Sequence, residues 1–373
     1  MSIATAPTNA QIRANLFALS PVKSMQLPSQ TFSPGDVKTF ILPKTGIGLY
    51  VTITVTATIS RTETATVGTA TFSPLAPFNV LKEVALKDYS GIPRVVADGY
   101  MLYLRQVAQR WAYGAAAEQP NLASPPFAKS PSFLQPYSST YDTASMPAGV
   151  ASSTVTAPLA FQVDVPISLH ENTTVGTFPF TVPKGDVPLQ ISTATMTGAT
   201  LDSPVSVTGA TTVTLTNASI AVEYFYLDPP QNVPLPVADF AVVHELVAVT
   251  QTSGILAGQN LDFELDTGRK YYALYSNFVA NNAPDTLDIS SVKFLINQTD
   301  PAMDDSLAGY LARTRKSFGR DLPPGAIVLP FSRYPWMPSS YGSLLQRLVL
   351  DGSLTVGTNA YLRVLKESTY QVA

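Results

Sequence analysis

Apolar and hydroxyl-bearing side chains alternate along much of this chain. From residue 51 to residue 60 the sequence reads VTITVTATIS, in which every second residue is Thr or Ser and none is charged. Because successive side chains of a strand point to opposite faces, this period of two predicts a strand with one apolar face and one hydroxyl face. A hydroxyl face suits a strand beside a second sheet or subunit, because a hydroxyl finds a hydrogen-bond partner more easily than an unpaired charge does.

Runs with the same period recur along the chain and predict further strands. Their apolar positions are Val84 and Leu86; Phe161, Val163, Val165 and Ile167; Val187, Leu189 and Ile191; Val213 and Leu215; Ile220, Val222 and Tyr224; Leu261, Phe263 and Leu265. Strands at this density, separated by Pro and Gly, indicate β-sandwiches or barrels.

Three segments have helical period. Asp98 is a candidate N-cap for a helix over residues 98–113, and either Asp304 or Asp305 for a helix over residues 304–318. The third segment, residues 8–19, precedes the strand-rich region. Its apolar residues Ile12, Leu16 and Leu19 fall on one side, so we expect it to form an N-terminal arm.

Two regions interrupt the strand pattern. Residues 114–158 carry few charges but keep several aromatic residues, which disordered segments normally lack, so we expect a long loop ordered by contacts. Residues 227–239 read LDPPQNVPLPVAD, and their four prolines predict a domain junction.

A faint internal repeat relates the two sides of this junction. The spacing G-x4-F-x-L occurs at Gly35, Phe40 and Leu42, and again at Gly258, Phe263 and Leu265. Each copy follows a Gln-Thr pair and precedes a Thr-Gly pair, residues 45–46 and 267–268. The repeat predicts two similar β domains in tandem, each with one helix.

Composition narrows the class of protein. The 373 residues include no cysteine, which excludes disulfides and thiolate metal sites, and only 13% are charged, with a net charge of −3. We therefore expect no nucleic-acid partner. No secretion signal or spanning segment is predicted, so we expect the chain to fold where it is made and its Asn172, Asn217 and Asn297 sequons to stay unglycosylated.

The sequence contains short matches to catalytic signatures, but each lacks the other elements that its enzyme family needs. Asp266 to Gly268 matches the triplet of aspartic proteases but has no second copy, and it is better explained as a turn at a strand end. Ser20 to Lys23 and Lys44 to Gly46 match two β-lactamase elements at the wrong separation. His170 and His244 have no metal or triad motif around them and are interpreted as structural or surface residues. We expect no enzyme activity, no cofactor and no metal.

Two features could bind a partner. Arg333 to Trp336, with Tyr341, could stack against a sugar or pack in a core or subunit contact. The densest basic cluster could meet acidic lipid headgroups or a neighbouring subunit, or form a solvated helix end; it comprises Arg313, Arg315, Lys316 and Arg320.

Four segments resemble a known family. Residues 30–59, QTFSPGDVKTFILPKTGIGLYVTITVTATI, are similar to the first strands of the major capsid proteins of tectiviruses, the double jelly-roll lineage that includes the adenovirus hexon. The likeness continues through residues 72–107, a strand pair leading into a helix, and residues 218–236 at the end of the first jelly roll. It reappears at residues 312–330, ARTRKSFGRDLPPGAIVLP.

The resemblance implies an all-β fold of two tandem eight-stranded jelly rolls, with a few short helices. Residues 1–29 would be the N-terminal arm, residues 30–230 the first jelly roll with long loops, and residues 238–373 the second. Three copies would form a homotrimer of pseudo-hexagonal outline that tiles an icosahedral bacteriophage shell over an internal membrane. The family has no catalytic residues.

The same resemblance implies partners and a location. The arm would face the viral membrane or a neighbouring subunit through Ile12, Arg13, Leu16, Phe17 and Leu19. Neighbouring capsomers, vertex or penton proteins and minor capsid proteins would be further partners, in a virion assembled in the host cytoplasm. The alternative function is a β-sandwich carbohydrate-binding or receptor-binding viral protein.

Overall fold

The computed structural model describes residues 8–112, 143–144, 146–170, 173–177, 185–198, 200–281, 283–284, 286–297, 300–318, 322–331, 344–357 and 359–371. The helices of these residues are α1 Asn9–Leu19, α2 Gly99–Ala112, α3 Val237–Phe240 and α4 Leu307–Phe318, with a 3-10 turn at Phe78–Val80. The strands are β1 Val22–Gln26, β2 Gln30–Thr31, β3 Val37–Ile41, β4 Ile47–Thr62, β5 Thr69–Phe72, β6 Leu81–Lys87, β7 Pro93–Ala97, β8 Thr143–Ala144, β9 Thr154–Pro166, β10 Pro188–Thr193, β11 Val205–Thr208, β12 Thr212–Leu227, β13 Val242–Gln251, β14 Asn260–Leu265, β15 Lys270–Ala280, β16 Ala283–Pro284, β17 Ile289–Ile296, β18 Asp300–Ser306, β19 Ala326–Pro330, β20 Leu344–Leu350 and β21 Tyr361–Gln371.

Strand β4 has the two faces that its sequence predicts. Val51, Ile53, Val55, Ala57 and Ile59 are buried, and the threonines between them are half-buried. The hydroxyl face is satisfied largely within its own sheet by hydrogen bonds to neighbouring strands: Thr52 donates to Asp164 (2.7 Å), Gln162 donates to Thr54 (2.8 Å), and Thr56 lies 2.9 Å from Ser219. These cross-strand bonds explain how the charge-free stretch of β4 from residue 51 to residue 60 keeps one face open.

Two eight-stranded jelly rolls follow one another along the chain. In the first, β2-β12-β4-β9 forms one sheet and β3-β10-β6-β7 the other. In the second, β13-β21-β15-β19 and β14-β20-β17-β18 repeat the same two orders strand for strand. Each helix also has its counterpart, because α2 follows β7 and α4 follows β18. The prediction of a double jelly roll is confirmed.

The short sequence repeat marks equivalent positions of the two units. Gly35 and Gly258 both have left-handed φ, +91° and +68°, in the turns before β3 and β14. Phe40 and Phe263 lie within those strands and are buried in separate cores. The repeat is therefore structural, and each copy turns the chain from one sheet of its jelly roll to the other.

A parallel strand pair joins the two units into one continuous sheet. Leu246 and Val247 of β13 pair with Val95 and Val96 of β7, so that the nine-stranded sheet B runs through both jelly rolls. Sheet A, which contains β4, packs on the first half of sheet B, and sheet C, β14-β20-β17-β18, packs on the second half.

Most sequence-based elements are confirmed, with corrections. Asp98 caps α2, since its Oδ1 accepts from the N–H of Met101 at 3.0 Å. The cap predicted for α4 is wrong: Asp304 and Asp305 belong to β18, and the Ser306 hydroxyl accepts from the N–H of Gly309 at 3.3 Å. Asp304 belongs to β18 because it lies opposite Lys293 of the neighbouring strand β17 and its carboxylate accepts a hydrogen bond from that lysine.

The remaining predictions concern loops and strand limits. Two predicted strands, around Val213 and Ile220, are one strand, β12, interrupted at Asn217, whose φ is +51°. Of the predicted loop 114–158, residues 154–158 belong to β9, and residues 113–142 lie outside the described part of the chain. Among the helices of the described residues, none is long and apolar enough to cross a bilayer.

Candidate functional site

Helix α2 lies between the two jelly rolls and is buried on both sides. Residues 99–108 are buried without interruption, because one side packs in the core of the first unit and the other contacts β15 of the second. A helix with no exposed side needs partners for every polar group that it carries. Arg105 is the charged residue of this stretch and Asp98 is the N-cap of the helix, and both find partners on β21.

Arg105 meets a buried carboxylate of the second jelly roll. Its Nη2 lies 2.6 Å and its Nε 3.1 Å from Oε1 of Glu367, whose side chain is 2% exposed. Tyr275 donates to the other oxygen, Oε2, at 2.9 Å, and Nε2 of His244 lies 3.3 Å from Oε1. One carboxylate is thus held by three side chains from α2, β15 and β13.

The surroundings of Glu367 keep it ionised. Burial alone would raise the pKa of this carboxyl, but the charge of Arg105 and the hydrogen bond from His244 outweigh burial and hold the pKa well below its ordinary value of 4.5. His170 interacts electrostatically with the same groups, and burial lowers its pKa. Both histidines of the chain therefore lie at the contact between the two units.

A second ion pair joins the N-terminal end of α2 to β21. Arg363 of β21 donates to Asp98 at 3.2 Å, to Asp202 at 2.9 Å and to the Thr250 hydroxyl at 3.2 Å. Burial raises the pKa of Asp98, and the neighbouring Arg363 partly offsets that effect. Beside Arg363 lies a cleft of about 210 Å³, also lined by Lys82. It is small for a ligand site, since drug-sized ligands occupy roughly 300–1,000 Å³.

The N-terminal arm is fastened to the region between the two units. Arg13 of α1 donates to both oxygens of Asp239 in α3, at 2.8 and 2.6 Å. Asp239 also accepts from the Thr174 hydroxyl at 2.6 Å. Thr8 caps α1 through a reciprocal bond with Gln11, so the sequence sets the start of the helix.

The five residues predicted to face a membrane or a neighbour have different surroundings. Leu16 is fully buried in this chain's own small core with Ile47, Leu49 and Leu227. Arg13 is occupied by Asp239, and Ile12 and Phe17 are half-buried. Leu19, 60% exposed, is the residue of this set most open to a partner.

The arm also continues into the first jelly roll. Residues 22–26 form β1, which pairs with the end of β12 from Val22 opposite Leu227 to Gln26 opposite Glu223. Its five residues are all exposed in the single chain. Docking of Leu16 and pairing of β1 both depend on distant residues, which the pattern of residues 8–19 could not reveal.

The isolated catalytic matches find structural explanations. Asp266 lies in the turn between β14 and β15, as predicted, where Lys366 bonds its carboxylate at 2.7 Å and lowers its pKa. His244 is 1% exposed and structural, as interpreted. Within the described residues no cluster of three or more His, Cys, Asp or Glu side chains could hold a metal ion. Arg333 to Trp336, Tyr341 and Arg320 lie outside the described residues.

Comparison with known proteins identifies the fold. No family model and no curated protein matches the sequence. Among solved structures, the STIV MCP is 14% identical, with a TM-score of 0.64 over 94% of this chain and 97% of that chain. The Sulfolobus Turreted Icosahedral Virus structure gives 12% identity and a TM-score of 0.64 over 94% and 91%. The PBCV-1 virus capsid gives 12% and 0.54 over 99% and 95%. These likenesses establish the double jelly-roll fold of viral capsid proteins.

Proposed function

We propose that this chain is a viral major capsid protein, a non-enzymatic subunit that assembles with copies of itself into a shell. The observation that carries the proposal is the extent of the structural likeness, which covers 94% of this chain and 97% of the STIV MCP. Both jelly rolls and their order are thus matched, rather than one sandwich domain that many unrelated proteins share.

The finer proposal is a homotrimer with a pseudo-hexagonal outline in an icosahedral shell. Two equivalent jelly rolls per chain give six in a trimer, which is the number that a hexagonal outline needs. The low charged fraction, 13%, supports a subunit that is largely surrounded by other copies. We propose residues 30–230 and 238–373 as the two units.

We further propose that residues 1–29 form an arm on the inner side of the shell, near an internal membrane. Exposed Leu19 and the open strand β1 support a role in contacts outside the chain. Vertex and minor capsid proteins are proposed partners, and the virion is the proposed location.

The first test is the solution mass of the purified chain. A closed trimer has a mass of about 119 kDa, three times 39.8 kDa, and negative-stain images of it should show hexagonal outlines. A stable monomer would contradict the proposal and favour the carbohydrate-binding alternative. That alternative predicts sugar binding that Trp336→Ala abolishes.

The role of the arm needs a separate test. Deletion of residues 1–20 should leave a soluble trimer, because the jelly rolls keep their own cores, but should impair assembly of particles. Normal particles from the truncated chain would exclude this role for the arm.

A further inference from the structure

The contact between α2 and the second jelly roll has a helix on one side and a sheet face on the other. The chain has a second, equivalent helix and a second, equivalent sheet face. In the chain, the helix of the first unit packs on the outer face of the β21-β15 pair of the second. The equivalent helix of the second unit is α4, and the equivalent sheet face is the outer face of β12 and β4 in sheet A. Both surfaces are open in the single chain.

Helix α4 is buried on one side only. Tyr310 and Thr314 face the core, whereas residues 308, 309, 312, 313, 315 and 316 are exposed. Arg105 is the seventh residue after the N-cap of α2, Asp98, and Arg313 is the seventh after Ser306, the N-cap of α4. At 3.6 residues per turn the two arginines therefore project from the same side of equivalent helices.

Equivalent bulges in β4 and β15 show which residues of the two strands correspond. Leu49 is the unpaired residue in β4 and Tyr272 the unpaired residue in β15. Three residues later come Thr52 and Tyr275, so Thr52 occupies the position of the tyrosine that bonds Glu367. Phe225 of β12, opposite Tyr50, has the position of Glu367, which lies opposite Ala273. The carboxylates on this face lie in the next row of the same face, across Thr52: Glu223 on β12 and Asp164 on β9.

We propose that α4 of one copy docks on the outer face of sheet A of a second copy, with Arg313 against Glu223. The occupant is a second copy because the chain already builds this contact once, from the equivalent helix and sheet face and with an arginine at the same position of the helix. Asp305 accepts from Nη2 of Arg313 at 2.9 Å, and a guanidinium has five N–H groups, so Arg313 has further donors for a second carboxylate.

Repetition of this contact accounts for a closed ring. It is heterologous, since α4 and sheet A are different surfaces, and a heterologous contact gives a ring where the rotation closes. The proposal rests on the proposed trimer and adds the surfaces that join its copies. The face offered to α4 is rich in threonine, whereas α2 meets Tyr275 and Leu365, so the contact between copies is the more polar of the two.

Charge reversal tests the pairing. Arg313→Glu and Glu223→Arg should each weaken trimer association at least about tenfold, since like charges then face each other, and the double variant should restore it. The matched control is Arg315→Glu, on the same helix but about 160° around it, which should leave association unchanged. Sedimentation velocity over a dilution series measures the effect, and circular dichroism confirms folding.

The outcomes separate this inference from the proposed function. A monomeric wild type would overturn both. A trimeric wild type whose association is unaffected by either reversal, or whose double variant stays as weak as the single ones, would overturn the docking surface and leave the capsid proposal standing.

A cross-linking experiment covers variants that associate too weakly to measure. Because the chain contains no cysteine, Ala312→Cys and Thr54→Cys introduce one thiol on each proposed surface. A short bismaleimide should join the double variant into covalent dimers and trimers, and either single variant should give none of these. A soluble trimer of the double variant that gives no cross-linked product would overturn the contact.

Discussion

Arg105 on α2 and Glu367 on β21 are 262 positions apart in the sequence, yet Nη2 and Oε1 lie 2.6 Å apart. A second pair on the same two elements, Asp98 and Arg363, has the opposite order of charges. Seven helical residues span about 10 Å and four strand residues about 13 Å, so the spacings of the two pairs match. Sliding α2 along β21 would bring like charges together, and the two pairs therefore define one register between the jelly rolls.

The first prediction concerns the stability of this contact. Arg105→Met should lower the free energy of unfolding by about 3–5 kcal/mol, because it leaves Glu367 as a buried charge without its main partner. Denaturant unfolding measures the change. The matched control is Arg347→Met, which removes a similar two-bond pair with Asp262 at the surface, where the side chains are 26% and 37% exposed. It should cost less than about 1 kcal/mol, and an equal loss in both variants would contradict the prediction.

The second prediction is a loss of stability in acid. The pKa values of His170 and Glu367 are both lower in the folded chain, so the unfolded chain binds more protons as the pH falls. Stability from His170 should be complete above pH 6.5 and decline below it, whereas stability from Glu367 should decline below pH 4.5. The melting temperature, measured as a function of pH from about 8 to about 3, tests this prediction.

Single variants separate these two pH ranges. His170→Gln should remove the part of the decline that begins near pH 6.5 and leave the lower part in place. An unchanged profile in this variant would show that other groups cause the upper decline.

The third prediction concerns the arm. Arg13→Met should speed hydrogen exchange in residues 9–19 by about tenfold or more, since hydrogen bonds to charged groups contribute roughly 1.5–3 kcal/mol. Lys23→Met is the control, because Lys23 and Asp228 form an exposed pair, with side chains 51% and 43% exposed. Exchange of α1 that does not differ between the two variants would show that the pair of Arg13 with Asp239 does not hold the helix in place.

The sequence alone predicted what depends on local pattern. Alternation of Val51 and its neighbours gave the faces of β4, and Asp98 gave the start of α2, because strand faces and caps are set by adjacent residues. The partner of Glu367 could not be predicted, since its position in the polar run KESTY resembles that of a solvated carboxylate. Its burial arises only when α2 closes over β21, and that closure depends on the packing of whole sheets.

The last prediction compares two equivalent glycines. Gly46 and Gly268 end the turns before β4 and β15, with φ of +63° and +79°. A Cβ at Gly268 would meet nothing within 4 Å, so Gly268→Ala should cost only the left-handed backbone conformation, about 1–2 kcal/mol. A Cβ at Gly46 would lie 2.4 Å from the backbone oxygen of Leu227, which is fixed by the pairing of β4 with β12. Gly46→Ala should therefore cost clearly more, by about 2 kcal/mol or above. Denaturation midpoints measured under the same conditions decide the matter, and equal losses would mean that backbone conformation alone requires glycine at both turns.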